Sequence, residues 1–246
     1  MTTSTEPTPA HAAPWRVVTW NIRGAARPDL GRIAEVIGEY SPDVVVLQEV
    51  RSSQARRIAG VLGWRNRWGR KHYPLSPLVW WRAEGLAIMS PHALHQFEVH
   101  SISPGISSWS FRHRVILGAT VERAGEQIRV YGTHLAAHQS PDERIAQAIR
   151  ATALVRHDAA AAFLVAGDLN APDDETLVVR EFATIGLRDA GGGPTIPAIA
   201  PRTRLDYVLI PDRGVVTEQH EPGGGEAWWE LSDHLPVLVA FSLPVD

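Results

Sequence analysis

Short apolar runs that stop at a polar residue recur along this chain, and they constrain its fold more than any other feature. Each run is rich in β-branched and aromatic residues and is bounded by residues that favour turns, as in WRVVTWNI before Arg23. Runs of this kind predict buried strands. The predicted strands cover residues 15–22, 43–49, 86–89, 114–121, 127–134, 163–167, 205–210 and 235–241.

Helical periodicity is confined to a few segments. Leu30, Ile33, Ala34 and Ile37 recur at helical spacing, and Ser41-Pro42 ends that pattern. Residues 54–62 and the alanine-rich segment 141–162 predict two further helices. Many strands with few helices predict an α/β sandwich, in which helices cover a pair of sheets, instead of a strictly alternating βαβ arrangement.

Length and composition exclude several classes of protein. A chain of 246 residues suits one hydrophobic core, so we expect a disordered tail over residues 1–14 and a single domain over residues 15–246. The net charge of −3 does not indicate a polyanion binder held by bulk charge. The absence of cysteine excludes disulfides, thiolate metal ligands and cysteine nucleophiles. Without a secretory leader or an apolar span, we expect a cytoplasmic protein with no stable membrane insertion.

Residues suited to metal binding and acid–base chemistry stand at or beside the ends of the predicted strands. They are Asn21, Glu49, His134, Asp168, Asn170, Asp206, Asp233 and His234. Such side chains can converge on one edge of a sheet. Carboxylate and amide oxygens favour Mg²⁺ or Mn²⁺ over zinc, and imidazoles can protonate or stabilise a phosphoryl oxygen. The set therefore predicts metal-assisted attack of water on a phosphate ester.

Seven motifs occur in the order TWNIRG, LQEV, EGLAIMS, GTHL, GDLN, RLDYVL and SDHLPV. Six of them carry these residues, and EGLAIMS carries Glu84. In this order they resemble the endonuclease/exonuclease/phosphatase superfamily, and in particular its deoxyribonuclease and neutral sphingomyelinase branch. The resemblance implies a four-layered α/β sandwich, with two mostly antiparallel sheets packed face to face and flanked by helices. It also implies Mg²⁺ or Mn²⁺ as the cofactor.

Residue roles follow from the same resemblance. Glu49 resembles the principal metal ligand, Asn21 its partner at the same ion, and Asp233 a further contributor to a metal site. Asp168 resembles the residue that orients or deprotonates the attacking water, and Asn170 the amide that binds a phosphate oxygen or positions that water.

The resemblance also assigns two imidazoles and their supports. His234 resembles the imidazole that contacts the scissile phosphate, and His134 the second imidazole of the deoxyribonuclease branch. We expect Asp206 to orient His134 and Glu84 to orient His234. Arg112 resembles an arginine near the phosphate, with Arg114 as the alternative.

Two features have alternative interpretations. The segment 51–72 is rich in arginine and tryptophan, which suits either contact with a nucleic acid or a solvated helix face. The pair Trp228-Trp229 either forms a wall of a substrate pocket or packs inward.

The predicted function is divalent-metal-dependent hydrolysis of phosphate esters, with a phosphodiesterase or nuclease as the leading form. The expected partner is a phosphate-ester substrate, nucleic acid among the candidates. The alternatives are a phosphomonoesterase acting on a small metabolite or lipid headgroup, and a non-catalytic binding protein on the same fold. Because the chain has a single lysine, Lys71, an inositol polyphosphate phosphatase is disfavoured.

Overall fold

A computed structural model describes residues 13–74, 76–137, 139–158, 160 and 162–244. The predicted tail lies outside this range over residues 1–12. Within the described residues, none of the helices combines the length and the apolar character needed to cross a bilayer.

The strands are more numerous than the sequence predicts. In chain order they are β1 (Trp15–Asn21), β2 (Val44–Arg51), β3 (Arg65–Arg70), β4 (Glu84–Ser90), β5 (Ala93–Ser101), β6 (Val115–Arg123), β7 (Glu126–His134), β8 (Phe163–Asp168), β9 (Leu187–Asp189), β10 (Asp206–Pro211), β11 (Val215–His220) and β12 (Val237–Ser242). The helices are α1 (Leu30–Glu39), α2 (Ser52–Leu62), α3 (Pro141–Val155), α4 (Thr176–Ala183) and the single turn α5 (Glu226–Trp229), with short 3-10 segments at Gly24–Ala26 and Pro77–Arg82.

The strands form two six-stranded sheets of related topology. The first has the order β11-β12-β1-β2-β4-β3 and the second β5-β6-β7-β8-β10-β9. Each contains one parallel pair, β1 with β2 and β7 with β8, and antiparallel neighbours elsewhere. A helix connects the two strands of each parallel pair, α1 in the first sheet and α3 in the second. The predicted pair of mostly antiparallel sheets is therefore confirmed.

Alternate residues of the central strands supply three hydrophobic layers. Val44 and Val46 of β2 face the second sheet, whereas Val45 and Leu47 face α1 and α2. The opposite face of the second sheet packs on α3 and α4 through residues such as Phe182. These layers produce the four-layered sandwich, and they place the functional strand ends on a rigid base.

Local sequence explains where the helices begin and end. Asp29 caps α1 by accepting hydrogen bonds from the backbone N–H groups of Gly31 and Arg32, at 2.9 and 3.1 Å. Gly63 ends α2 with a positive φ of 69°. The prediction for α3 is too long, because the helix ends at Val155 instead of continuing to residue 162. Beyond it, Asp158 accepts from the backbone N–H of Ala160 at 2.9 Å and bonds Arg129, which holds that stretch out of the helix.

The basic segment 51–72 is not one helix face. It comprises α2 followed by β3, which pairs with β4 at the edge of the first sheet. Arg65 and Arg67 are exposed along β3, whereas Trp64 and Trp68 pack against the core beneath α2.

Candidate active site

The register of the second sheet brings three of the predicted residues together. His134 at the end of β7 lies beside Asp168 at the end of β8, and Asp168 lies beside Asp206 at the start of β10. All three are buried. In the first sheet Asn21 pairs with Gln48, so the next residue, Glu49, lies at the same end.

Asp168 is the centre of the polar network. One of its oxygens, Oδ2, accepts from Asn21 Nδ2 at 3.1 Å, and the other, Oδ1, accepts from the backbone N–H of Asn170 at 2.9 Å. The Nε2 atoms of His134 and His234 lie 3.6 and 3.9 Å from Oδ2. Asn21 therefore links the first sheet to the carboxylate of the second.

Asp206 pairs with His234, not with His134 as the sequence led us to expect. Its Oδ2 lies 2.8 Å from His234 Nδ1 and accepts from the hydroxyl of Thr195 at 2.6 Å. Its Oδ1 is buried and has no hydrogen-bond partner among the described residues. The expected pairing was wrong because β10 and the segment before β12 approach one another across the two sheets, a contact that strand order in the sequence does not reveal.

Glu84 likewise has a different partner from the expected His234. Its carboxylate lies 3.8 Å from Nζ of Lys71, which is 4% exposed. Burial lowers the pKa of Lys71, with Arg114 acting in the same direction and Glu49, Glu84 and Asp168 opposing it. Glu49 is therefore close enough to Lys71 to affect its pKa, and a buried lysine lies beside the candidate site.

The pKa values of the two imidazoles, His134 and His234, are shifted in opposite directions. Burial lowers the pKa of His134 well below its ordinary value, and the positive charges of Lys71 and Arg114 lower it further. Burial also disfavours the charged form of His234, but the carboxylates of Asp206 and Asp168 outweigh it and raise the pKa of His234 to about 10. At neutral pH one ring is neutral and the other is a cation.

Burial raises the pKa of Asp168 to about 7, although the charge of His234 and the hydrogen bond from Asn21 oppose the shift. The neighbouring charge of Asp206 acts in the same direction as burial. A carboxyl group that titrates near neutrality is suited to exchange protons with water.

Unusual backbone conformations occur where the site is built. Glu49 and Asn170 have positive φ values of 52° and 51°, which few non-glycine residues adopt. Glu49 lies within an irregularity of the β2–β4 pairing between Leu47 and Val50. Gly167 is required beside Asp168, because a Cβ there would meet the carbonyl oxygen of Thr133 at 2.0 Å.

Arg114, not Arg112, is the buried arginine of the SFRHR segment. The Arg112 side chain is 59% exposed and pairs with Glu143 at 2.8 Å. Arg114 donates from Nε to the carbonyl oxygen of Leu135 at 3.0 Å, directly after His134, and its pKa responds to the charges of Asp168 and Glu49. The structure therefore brings Arg114, the alternative named from the sequence, close to the predicted residues, whereas Arg112 pairs with Glu143 at the surface.

Sequence reasoning also missed His72. Burial lowers its pKa to about 4, and its Nδ1 is buried without a partner among the described residues. The available signal for this region was Lys71, because a single lysine in a chain with 24 lysine and arginine residues is itself unusual. The two tryptophans before the SDH motif behave differently, since Trp228 packs edge-on against Trp20 at 6.2 Å and Trp229 is 44% exposed.

One group of side chains among the described residues has a geometry suited to a metal ion. Asp168, Asp206 and His234 each offer a ligand atom, and these atoms lie within 4.8 Å of one another. The metal ligands predicted from the sequence, Asn21, Glu49 and Asp233, are a different set and stay a prediction. Asp233 is partly exposed, and its Oδ2 lies 3.4 Å from Arg23 Nη1.

The sequence profile of the Endonuclease/Exonuclease/phosphatase family matches residues 18–234. The chain belongs to this family. The match spans all seven motifs except the end of the last, and the family's enzymes are metal-dependent phosphoesterases and nucleases. No curated protein sequence matches the chain significantly.

Solved structures share the fold of this family member. The endonuclease/exonuclease/phosphatase from Beutenbergia cavernae has a TM-score of 0.77 at 24% identity, covering 94% of this chain and 72% of that one. The human Nocturnin catalytic domain with bound sulfate anion has a TM-score of 0.73 at 22% identity, covering 96% and 95%. The family protein from Leptotrichia buccalis has a TM-score of 0.75 at 17% identity, covering 92% and 99%.

Proposed function

We propose that this protein hydrolyses phosphate diesters with the help of a divalent cation, Mg²⁺ or Mn²⁺. The observation that carries the proposal is the strand register that places His134, Asp168 and Asp206 side by side, with His234 bonded to Asp206. Two carboxylates and two imidazoles of opposite charge state can supply the general base and the electrostatic stabilisation that accelerate hydrolysis of a phosphate ester.

The donor set fits a hard cation. Glu49 supplies a carboxylate and Asn21 an amide oxygen, both from the same end of the first sheet. Oxygen donors of this kind suit Mg²⁺ or Mn²⁺. We assign the ion to Glu49 and Asn21, with Asp233 as a third contributor. His234 is a poor ligand, because its Nδ1 is engaged by Asp206.

The chain's own residues have distinct tasks in this proposal. Asp168, with its pKa near 7, accepts a proton from the attacking water, which Asn170 helps to position. The His234 cation, fixed by Asp206, faces the phosphate and stabilises the charge that develops on its oxygens. Neutral His134 donates or accepts a hydrogen bond at the same phosphate. A bound divalent cation would polarise the phosphate and lower the pKa of the attacking water.

Arg114 and Lys71 are candidates for binding the non-bridging oxygens. Both are buried cations beside the carboxylates of the site. Burial of a positive charge destabilises the folded state unless anions compensate it, and an anionic substrate would add to that compensation.

The first test combines metal binding with turnover. Glu49→Ala should lose most Mn²⁺ affinity in a calorimetric titration, together with hydrolysis of bis-p-nitrophenyl phosphate, while its circular dichroism spectrum is unchanged. Glu39→Ala, which removes an exposed carboxylate of α1, is the matched control and should behave as the parent.

Three outcomes contradict parts of this proposal. Undiminished Mn²⁺ binding by Glu49→Ala would remove Glu49 from the metal site. Hydrolysis that a chelator does not abolish would rule out the cation. Faster turnover of p-nitrophenyl phosphate than of the diester would identify a phosphomonoesterase instead.

A further inference from the structure

A cavity of about 300 Å³ adjoins the candidate active site. It lies between the segment that follows β3 and the loop that precedes β6. Its described lining consists of three aromatic rings, an imidazole, a proline, an arginine and a carboxylate. These residues are His72, Tyr73, Pro74, Arg82, Glu84, Trp109 and Phe111.

Two lining residues belong to both the cavity and the active site. Glu84 lies 3.8 Å from Lys71, the buried lysine proposed to bind phosphate. His72 is close enough to His134 to affect its pKa. A group attached to a phosphate at the active site would therefore have this cavity as its neighbour.

The aromatic side chains of the cavity are already ordered for stacking. Tyr73 and Trp109 stack with ring centroids 4.4 Å apart and an interplanar angle of 19°. The guanidinium of Arg70 lies 3.5 Å from the centroid of Tyr73. A hydrogen bond of 2.8 Å from the backbone N–H of Tyr73 to the carbonyl oxygen of Ser108 joins the two segments. Trp109 is 44% exposed despite this stack, and Phe111, which lies outside the stack, is 70% exposed. Apolar ring surface therefore remains accessible to a ligand.

We infer that this cavity binds the base of a nucleoside attached to the scissile phosphate, with Trp109 and Phe111 as the residues that stack on it. The inference rests on the proposed function, which places the phosphate beside Lys71. Base stacking on aromatic side chains is a general way to hold unpaired nucleotides. The substrate class is thus a nucleotide diester with an unstacked base, such as the end of a single strand.

The polar part of the cavity favours a base over an acyl chain. Arg82 and Glu84 line the cavity and supply a hydrogen-bond donor and an acceptor. The edge of a base can pair with such groups, whereas a hydrocarbon chain would leave them unsatisfied. A flat ring with polar edges therefore fits this cavity better than a hydrocarbon chain does.

Binding can be measured without turnover. Calorimetric titration of the full chain with thymidine 5′-monophosphate should show binding that Trp109→Ala weakens by about tenfold, the effect expected for loss of one stacking ring. Phe111→Ala should weaken it less, and Trp109→Phe should restore most of it. Ribose 5-phosphate, which lacks a base, should bind the parent and Trp109→Ala equally.

Trp81→Ala is the matched control. Trp81 is 57% exposed on the neighbouring Pro77–Arg82 segment, and it is not among the described residues that line the cavity. This variant should bind thymidine 5′-monophosphate as the parent does. An equal loss in Trp81→Ala and Trp109→Ala would overturn the inference.

Turnover supplies an independent readout. Trp109→Ala should raise KM for thymidine 5′-p-nitrophenyl phosphate with little change in kcat, and should leave KM for methyl p-nitrophenyl phosphate unchanged. Equal changes for both esters would overturn the inference. So would unchanged nucleotide binding in Trp109→Ala combined with lost binding to vesicles of anionic phospholipid, which would identify a membrane-binding surface.

The two proposals fail separately. Nucleotide binding that depends on Trp109 in a protein that hydrolyses no diester would support the cavity and contradict the proposed function. Diester hydrolysis that is lost in Glu49→Ala, together with unchanged nucleotide binding and turnover in Trp109→Ala, would support the proposed function and contradict the role of the cavity.

Discussion

The two imidazole regions of the site differ although both rings face the same carboxylate. His234 Nε2 and His134 Nε2 lie 3.9 and 3.6 Å from Asp168 Oδ2. His234 has Asp206 at its other nitrogen, and its pKa is raised to about 10. His134 lies in the field of Lys71 and Arg114, its Nδ1 has no partner among the described residues, and its pKa is lowered by burial and by those cations.

Proximity to one shared carboxylate therefore does not determine whether an imidazole is protonated. The other charged groups near each ring determine it. The site is therefore polarised, with an anionic side around Asp206 and a cationic side around Lys71 and Arg114. The substitutions Asp206→Asn, Arg114→Met and Asp168→Asn each remove one charged group of this arrangement.

The largest effect is expected from Asp206→Asn, which removes the charge that keeps His234 protonated. The pKa of His234 should fall, and kcat should decrease by about 10² to 10⁴, the usual contribution of a positioned acid or base. The decrease should grow as the pH rises above neutrality, because the ring then loses its proton. NMR titration of the imidazole and a kcat–pH profile measure both effects.

Thr195→Val is the control for Asp206→Asn, because it removes the other hydrogen bond to Asp206 Oδ2 and keeps the carboxylate. It should retain most of kcat. A normal kcat for Asp206→Asn, together with a lower melting temperature, would show that Asp206 only anchors the strand end.

Arg114→Met should lower kcat/KM by about tenfold to a hundredfold, since it removes a buried cation proposed to bind the phosphate. The pKa of His134 should rise at the same time. Arg112→Met removes an exposed arginine two residues away and is the matched comparison. If Arg112→Met has the larger effect, the choice of Arg114 is wrong. Initial rates and an NMR titration of His134 decide between them.

The smallest effect is expected in stability. The folded state raises the pKa of Asp168 from 3.8 to about 7, so it favours the protonated carboxyl. This contribution to stability is fully present only below the unfolded value of 3.8 and is lost as the pH rises from there through 7. Asp168→Asn should therefore raise the melting temperature of the metal-free protein more at pH 8 than at pH 5. A gain of about 2–4 °C would correspond to about 1 kcal/mol.

Asp174→Asn, at an exposed carboxylate in the loop after β8, is the comparison for the thermal melts and should change neither value. An equal gain at both pH values in Asp168→Asn would show that the buried charge of Asp168 is not its cause.

The fold was predictable wherever strands are buried on both sides. The strands β2 and β8 are recognisable in the sequence as apolar runs, because both faces of each strand pack on a hydrophobic layer. The strands β3, β5, β9 and β11 were missed because they are the edge strands of the two sheets, where polar side chains such as Arg65 and Arg67 are exposed. Their pairing depends on neighbours that are distant in the chain.

For the candidate site, the sequence indicated which residues lie close together better than it indicated the contacts between them. The motifs supply His134, Asp168, Asp206 and His234, but the pairing of Asp206 with His234 depends on how two strand ends meet. Lys71 belongs to no motif that we identified. Its burial arises from the path of the chain after β3, which composition and periodicity do not encode.

The pairing of β1 with β12 has a consequence for the order of events during protein synthesis. Trp15 in the first strand is the register partner of Phe241 in β12. A ribosome therefore releases β1 long before β12 exists, and the first sheet cannot be completed until residues 237–242 have been synthesised. Because His234 directly precedes β12, a nascent chain cannot cleave a phosphate ester by the proposed route before that segment has emerged.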